Sequence, residues 1–183
     1  MSLTHQVGKR TLKLIVGDLT ALDIEAFVFY AAHDLQLGSG FGTAVTIRGG
    51  PKVQEELNDL GPLQTTKAVV SGAGELAAQY IVHAVGPRFQ EEDSEGKLRL
   101  TIQNSLRAAD DRSIKALAFP PMGAGFYGTP LPVCAEIMIS TIVEHLSGDT
   151  GIEEIVICAL DKREYQPFEK QLAALGQTIK EAV

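Results

Sequence analysis

Apolar positions recur along this chain with two periods. Short, nearly continuous apolar runs at residues 11–16, 26–30, 68–70, 80–85, 116–119 and 155–160 predict strands. Between them the spacing lengthens to a helical period: Leu98, Ile102 and Leu106 share one face, as do Ile137, Met138, Ile142 and Leu146. Further helices are expected at 44–48 and 53–60, separated by Gly49, Gly50 and Pro51, then from about residue 130 and at 168–174. Gly72 and Gly74 predict a hairpin or bulge between two strands, and residues 90–96 a charged loop. Strands that alternate with helices predict a three-layer α/β domain. The run at 155–160 lacks polar alternation, as a sheet covered on both faces requires.

Composition narrows the partners. The chain has 183 residues, the size of one domain, and no repeat or linker interrupts it. Residues 1–10 are expected as an N-terminal extension or an edge strand. A net charge of −7 makes nucleic acid a poor partner. Two cysteines, the polar start and the lack of a spanning apolar run predict a cytoplasmic protein without a membrane segment. No Cys/His cluster has zinc spacing, so neither a metal nor a cofactor is expected.

Glycine is in excess, 18 residues, and is clustered. Gly38, Ser39, Gly40, Phe41 and Gly42 precede a predicted helix; Gly123, Ala124, Gly125, Phe126, Tyr127 and Gly128 follow a strand. Backbone N–H groups of such loops can converge on an anion, assisted by a helix N-terminus. Two of them on one sheet edge could hold a diphosphate almost without lysine. Neither loop reads as a Walker or dinucleotide-binding glycine motif. Asp18, directly after the first strand, suits either an exocyclic amine or a turn cap.

These segments together resemble the macrodomain family. Val16-Gly-Asp-Leu-Thr20 is similar to its opening segment, the loop at 37–42 with Arg48-Gly-Gly50 to its first glycine loop and helix, residues 81–87 to its central strand, and 123–130 to its second phosphate loop. The resemblance implies an α/β/α fold with a mixed central sheet and a cleft for ADP-ribose or ADP-ribosylated molecules. It implies that Asp18 accepts from the adenine amine and that the Leu19 backbone holds the ring. It places residues 38–41 and 123–127 around the diphosphate and distal ribose, with Tyr127 against the ribose, and Leu160 where many members carry an aromatic ring.

The departures concern hydrolysis. The hydrolytic branch carries Asn-Ala-Ala-Asn where this chain has Phe29-Tyr-Ala-Ala32, and an acid where it has Gly42. Ala and Gly offer no group to position water. Binding of an adenine diphosphate nucleotide with little or no turnover is therefore expected. The alternatives are a hydrolase of ADP-ribosyl, acetyl or 1″-phosphate derivatives using His33, Asp34 or Tyr127, and a macrodomain-like scaffold with another ligand. Arg48 is expected as a helix-end cation and His83 as a core histidine.

Overall fold

The computed structural model describes residues 1–38, 40–176 and 178–181. Eight strands make one sheet: β1 (Ser2–Val7), β2 (Arg10–Val16), β3 (Ala26–Tyr30), β4 (Ala68–Gly72), β5 (Tyr80–Ala84), β6 (Ala116–Phe119), β7 (Glu154–Ala159) and β8 (Thr178–Glu181). Their order is β4-β5-β3-β6-β7-β2-β1-β8. The five strands β5, β3, β6, β7 and β2 run parallel, and antiparallel strands flank them on both sides. The mixed sheet of the expectation is thus present. Residues 1–10 differ: β1 is no edge, because it bonds β2 on one side and β8 on the other.

Five helices cover the sheet: α1 (Phe41–Gly49), α2 (Pro51–Leu60), α3 (Ser94–Asp111), α4 (Leu131–Ser147) and α5 (Lys162–Ala174). One face packs Phe27, Phe29 and Ile81 against Val45 of α1 and Val53 and Leu57 of α2. The other packs Val28, Val82 and Leu117 under α3, α4 and α5, through Leu98, Ile142 and Phe168. The central strands are buried on both sides, which explains their unbroken apolar runs.

Several helices begin earlier than the apolar period suggests. Pro51 opens α2 at a first-turn position, where its missing N–H costs nothing. α3 starts at Ser94, inside the stretch expected as a charged loop. α5 starts at Lys162, capped by Asp161, whose carboxylate accepts from the Glu164 N–H at 3.0 Å. It continues through Pro167, a residue that normally argues for a break.

Candidate functional site

Four parallel strands end along one sheet edge, and each hands the chain to a loop there. β2 leads to Asp18, β3 to residues 31–40, β6 to 120–128 and β7 to Leu160. Ligands of parallel sheets collect at this edge. A cleft of ≈ 580 Å³ lies between the two glycine loops, bounded by Gly38 and Gly40 on one side and by Gly123 and Ala124 on the other. Phe29, Tyr30 and Phe41 also line it.

Both loops use backbone that side chains disfavour. Gly38, Gly40, Gly123 and Gly125 have φ of 58°, 64°, 79° and 65°. Gly40 is the residue before α1, so the N–H groups of the first helical turn open beside the cleft. The second loop is closed by the Thr129 N–H on the Gly123 carbonyl at 2.9 Å and the Gly128 N–H on Gly125 at 3.0 Å. Among the described residues, the amides of Gly38, Gly40, Gly123, Ala124 and Gly125 donate to no other group. Ser39 lies outside the described residues.

Gly42 has a second reason to be glycine. A Cβ there would overlap the Leu37 carbonyl, which turns under the start of α1. Position 42 is therefore closed by backbone, not merely empty of a side chain.

At the β2 end Asp18 caps a 3-10 turn. Its Oδ1 accepts from the Thr20 N–H at 3.0 Å and from the Thr20 hydroxyl at 2.7 Å. Its Oδ2 pairs with Arg48 at 2.7 Å, and Arg48 also donates to Thr20 Oγ1 at 2.6 Å. The Thr20 hydroxyl above all, then the Thr20 amide and Arg48, hold the Asp18 carboxyl below its ordinary range. The side chain stays 48% accessible, so a ligand can still approach it. Arg48 is the helix-end cation expected for it, in the last turn of α1. Leu19 is buried, whereas Leu160 is 70% exposed, its N–H bound by Glu164 at 2.8 Å.

The far end of the cleft is aromatic. Phe29 stacks on Phe41 with centroids 5.5 Å apart, and Phe27 meets Phe41 edge-on at 6.2 Å. Tyr30 donates its hydroxyl to the Pro87 carbonyl at 2.6 Å and lays its ring 4.0 Å from that of Tyr127. Burial raises the pKa of both tyrosines, so both stay protonated at neutral pH. Tyr127 is thus a wall of the cleft and holds no poised base.

His33 and Asp34 diverge. His33 Nδ1 lies 2.9 Å from the Leu63 carbonyl and Nε2 3.4 Å from Thr65 Oγ1. Asp34 accepts from the Gln36 N–H at 3.0 Å. His83 is fully buried, with Nε2 2.8 Å from Ser71 Oγ, and burial lowers its pKa to about 3. That is the core histidine expected. Cys134 and Cys158 are buried thiols pushed up to about 12 and about 11 by desolvation. Among the described residues no group of three His, Cys, Asp or Glu could hold a metal ion, and no helix is long and apolar enough to cross a membrane.

The Tyr30–Tyr127 and Phe29–Phe41 pairs escaped the sequence reading, as did Arg88 and Phe89 beside the cleft. The available signal was two aromatics where the related segment is polar, with aromatics in each glycine loop.

Comparison with known proteins agrees with this geometry. A family model described as Macro domain matches residues 31–138. A macro domain-containing protein of Caldanaerobacter subterraneus subsp. tengcongensis is 33% identical over 175 residues, 92% of this chain and 99% of that one. One of Chlorobaculum tepidum is 33% identical over 162 residues, 87% of this chain and 94% of its own. The solved macrodomain of Oceanobacillus iheyensis with ADP gives a TM-score of 0.90 at 23% identity, over 96% of each chain. That of Trypanosoma brucei in complex with ADP-ribose gives 0.82 at 23% identity, over 88% of this chain and 68% of that one.

Proposed function

Because the chain belongs to the Macro domain family, we propose that it binds ADP-ribose or a related adenine diphosphate nucleotide with little or no hydrolysis. The observation that supports this most is the pair of facing glycine loops with undonated amides, set at the carboxyl ends of parallel strands. In this reading the amides of residues 38–41 and 123–127 hold the diphosphate. Asp18 Oδ2, which meets Arg48 alone, keeps a second acceptor site, and this site meets the adenine amine. Leu160 covers the ring without stacking. Solved macrodomains of other organisms hold ADP and ADP-ribose.

Weak turnover follows from what stands at three positions. Phe29 is packed on Phe41, Ala32 has no polar atom, and Gly42 is closed by the Leu37 carbonyl. None of them can place a water. The test is calorimetry with ADP-ribose on the wild type, Gly40→Val and Gly125→Val. Binding that both substitutions abolish is expected, since each forces a β-branched side chain into a left-handed backbone. No heat at high micromolar ADP-ribose, or full binding by both variants, would overturn the reading. Incubation with ADP-ribosylated protein is expected to release no ADP-ribose.

A further inference from the structure

The cleft does not stop at Tyr127. A second compartment, also ≈ 580 Å³, opens beyond it and shares Ala32, Phe126 and Tyr127 with the first. Ala32 sits exposed where the two meet, a methyl group opposite the larger rings. The floor is equally small-sided, with Ala31 and Gly86.

The walls carry rings. Phe126 is 88% exposed and Phe89 60% exposed, an unfavourable way to leave two phenyl groups in water unless a ligand covers them. They come from different loops, and each is held in place. Phe126 meets Tyr127 edge-on at 5.5 Å. Phe89 lies over Gly128, which leaves no room for a Cβ there. Arg88 also lines the space.

Polar residues of the compartment carry both signs of charge, Arg88 and Asp34. The Leu63 carbonyl can only accept, so the His33 Nδ1 beside it carries a proton. Asp34 lies on the same lining. Donors and acceptors together beside aromatic faces suit a sugar diol carrying a flat ring.

We propose that the second compartment is a base-stacking subsite, and that the favoured ligand class is an adenine dinucleotide: adenosine diphosphate joined to a second ribose that bears a base. The inference rests on the nucleotide reading of the first compartment and deepens it.

Calorimetry with four probes tests it: ADP, ADP-ribose, oxidised nicotinamide adenine dinucleotide and diadenosine diphosphate. At least one dinucleotide should bind about tenfold tighter than ADP-ribose, the scale of one base–aromatic stack. Which of the two gains more identifies the base. Phe89→Ala should remove that gain and leave ADP affinity unchanged. The chain has no tryptophan, so Phe89→Trp gives a single reporter at an exposed ring outside the first compartment. Its fluorescence should be quenched by the dinucleotide and not by ADP. ADP-ribose binding as tightly as both dinucleotides, or a gain that survives Phe89→Ala, overturns the subsite and leaves the nucleotide reading standing. Absence of heat with ADP and ADP-ribose as well as with both dinucleotides overturns both.

Discussion

A carboxylate at position 42 would need a Cβ where the Leu37 carbonyl already lies, and the two groups cannot share that space. Position 32 is different, since Ala32 is exposed on the cleft floor and has room for a larger side chain. Installing polar side chains at the two positions should therefore have unequal effects. Gly42→Asp should cost about 1–3 kcal/mol, as overpacked sites do, which at roughly 2–4 °C per kcal/mol lowers the melting temperature by about 2–12 °C. Ala32→Asn should stay within about 0.5 kcal/mol, like other surface replacements. Thermal denaturation of the two variants checks this, and an unshifted midpoint for Gly42→Asp would mean that the loop yields to a side chain. The backbone role of Gly38, Gly40, Gly123 and Gly125 was legible because left-handed backbone leaves glycine as its mark in a sequence. The Tyr30–Tyr127 contact was not, because it joins residues far apart in the chain and depends on how two loops settle over Gly86 and Pro87.

At the scale of elements, β5 carries His83 between Phe29 of β3 and Val69 of β4, deep in the sheet. Burial lowers its pKa to about 3, whereas the unfolded chain titrates near the ordinary value of 6.5. The unfolded state thus takes up the proton first. The stability tied to a neutral His83 is whole above about pH 6.5 and is lost at about 1.4 kcal/mol per unit as pH falls toward 3. Urea unfolding of the wild type and His83→Leu at pH 7.5, 6.5 and 5.5 measures it. The stability difference between the two proteins should shift by about 1 kcal/mol toward the variant over the last unit, which begins at the unfolded pKa, and a difference independent of pH would sink the argument. Strands β2, β3, β5, β6 and β7 were readable within a residue or two, since burial on both faces writes apolar runs. The start of α1 was not: glycine is a poor helix former, and Phe41 and Gly42 enter the helix because the Phe29 ring holds Phe41 there. The early start of α5 was hidden by Pro167, and β8 by a polar stretch without alternation, which takes strand form on the edge that β1 provides.

Across the whole molecule, the charge of −7 is compatible with an anionic ligand only if the grip is not made of side-chain cations. Several cations already have partners. Arg48 pairs with Asp18, Lys97 with Glu91, and Arg10 donates to the carbonyls of Leu146 in the last turn of α4 and of Gly148 and Thr150 beyond it. Amide dipoles act at close range, while the acidic surface repels an anion over a Debye length of about 10 Å at 0.1 M salt. Affinity for ADP-ribose should thus stay flat or rise as sodium chloride goes from 50 to 500 mM, by roughly twofold at most. A tenfold fall in a salt series would show that lysines and arginines carry the binding. The Leu37 carbonyl beneath α1 also bears on descent. An aspartate codon lies one nucleotide from some glycine codons, but here that step would damage the loop before it could supply an acid. A lineage with this backbone faces a ratchet: recovery of an acid at position 42 has to follow a change in the length or path of the loop between β3 and α1, never precede it.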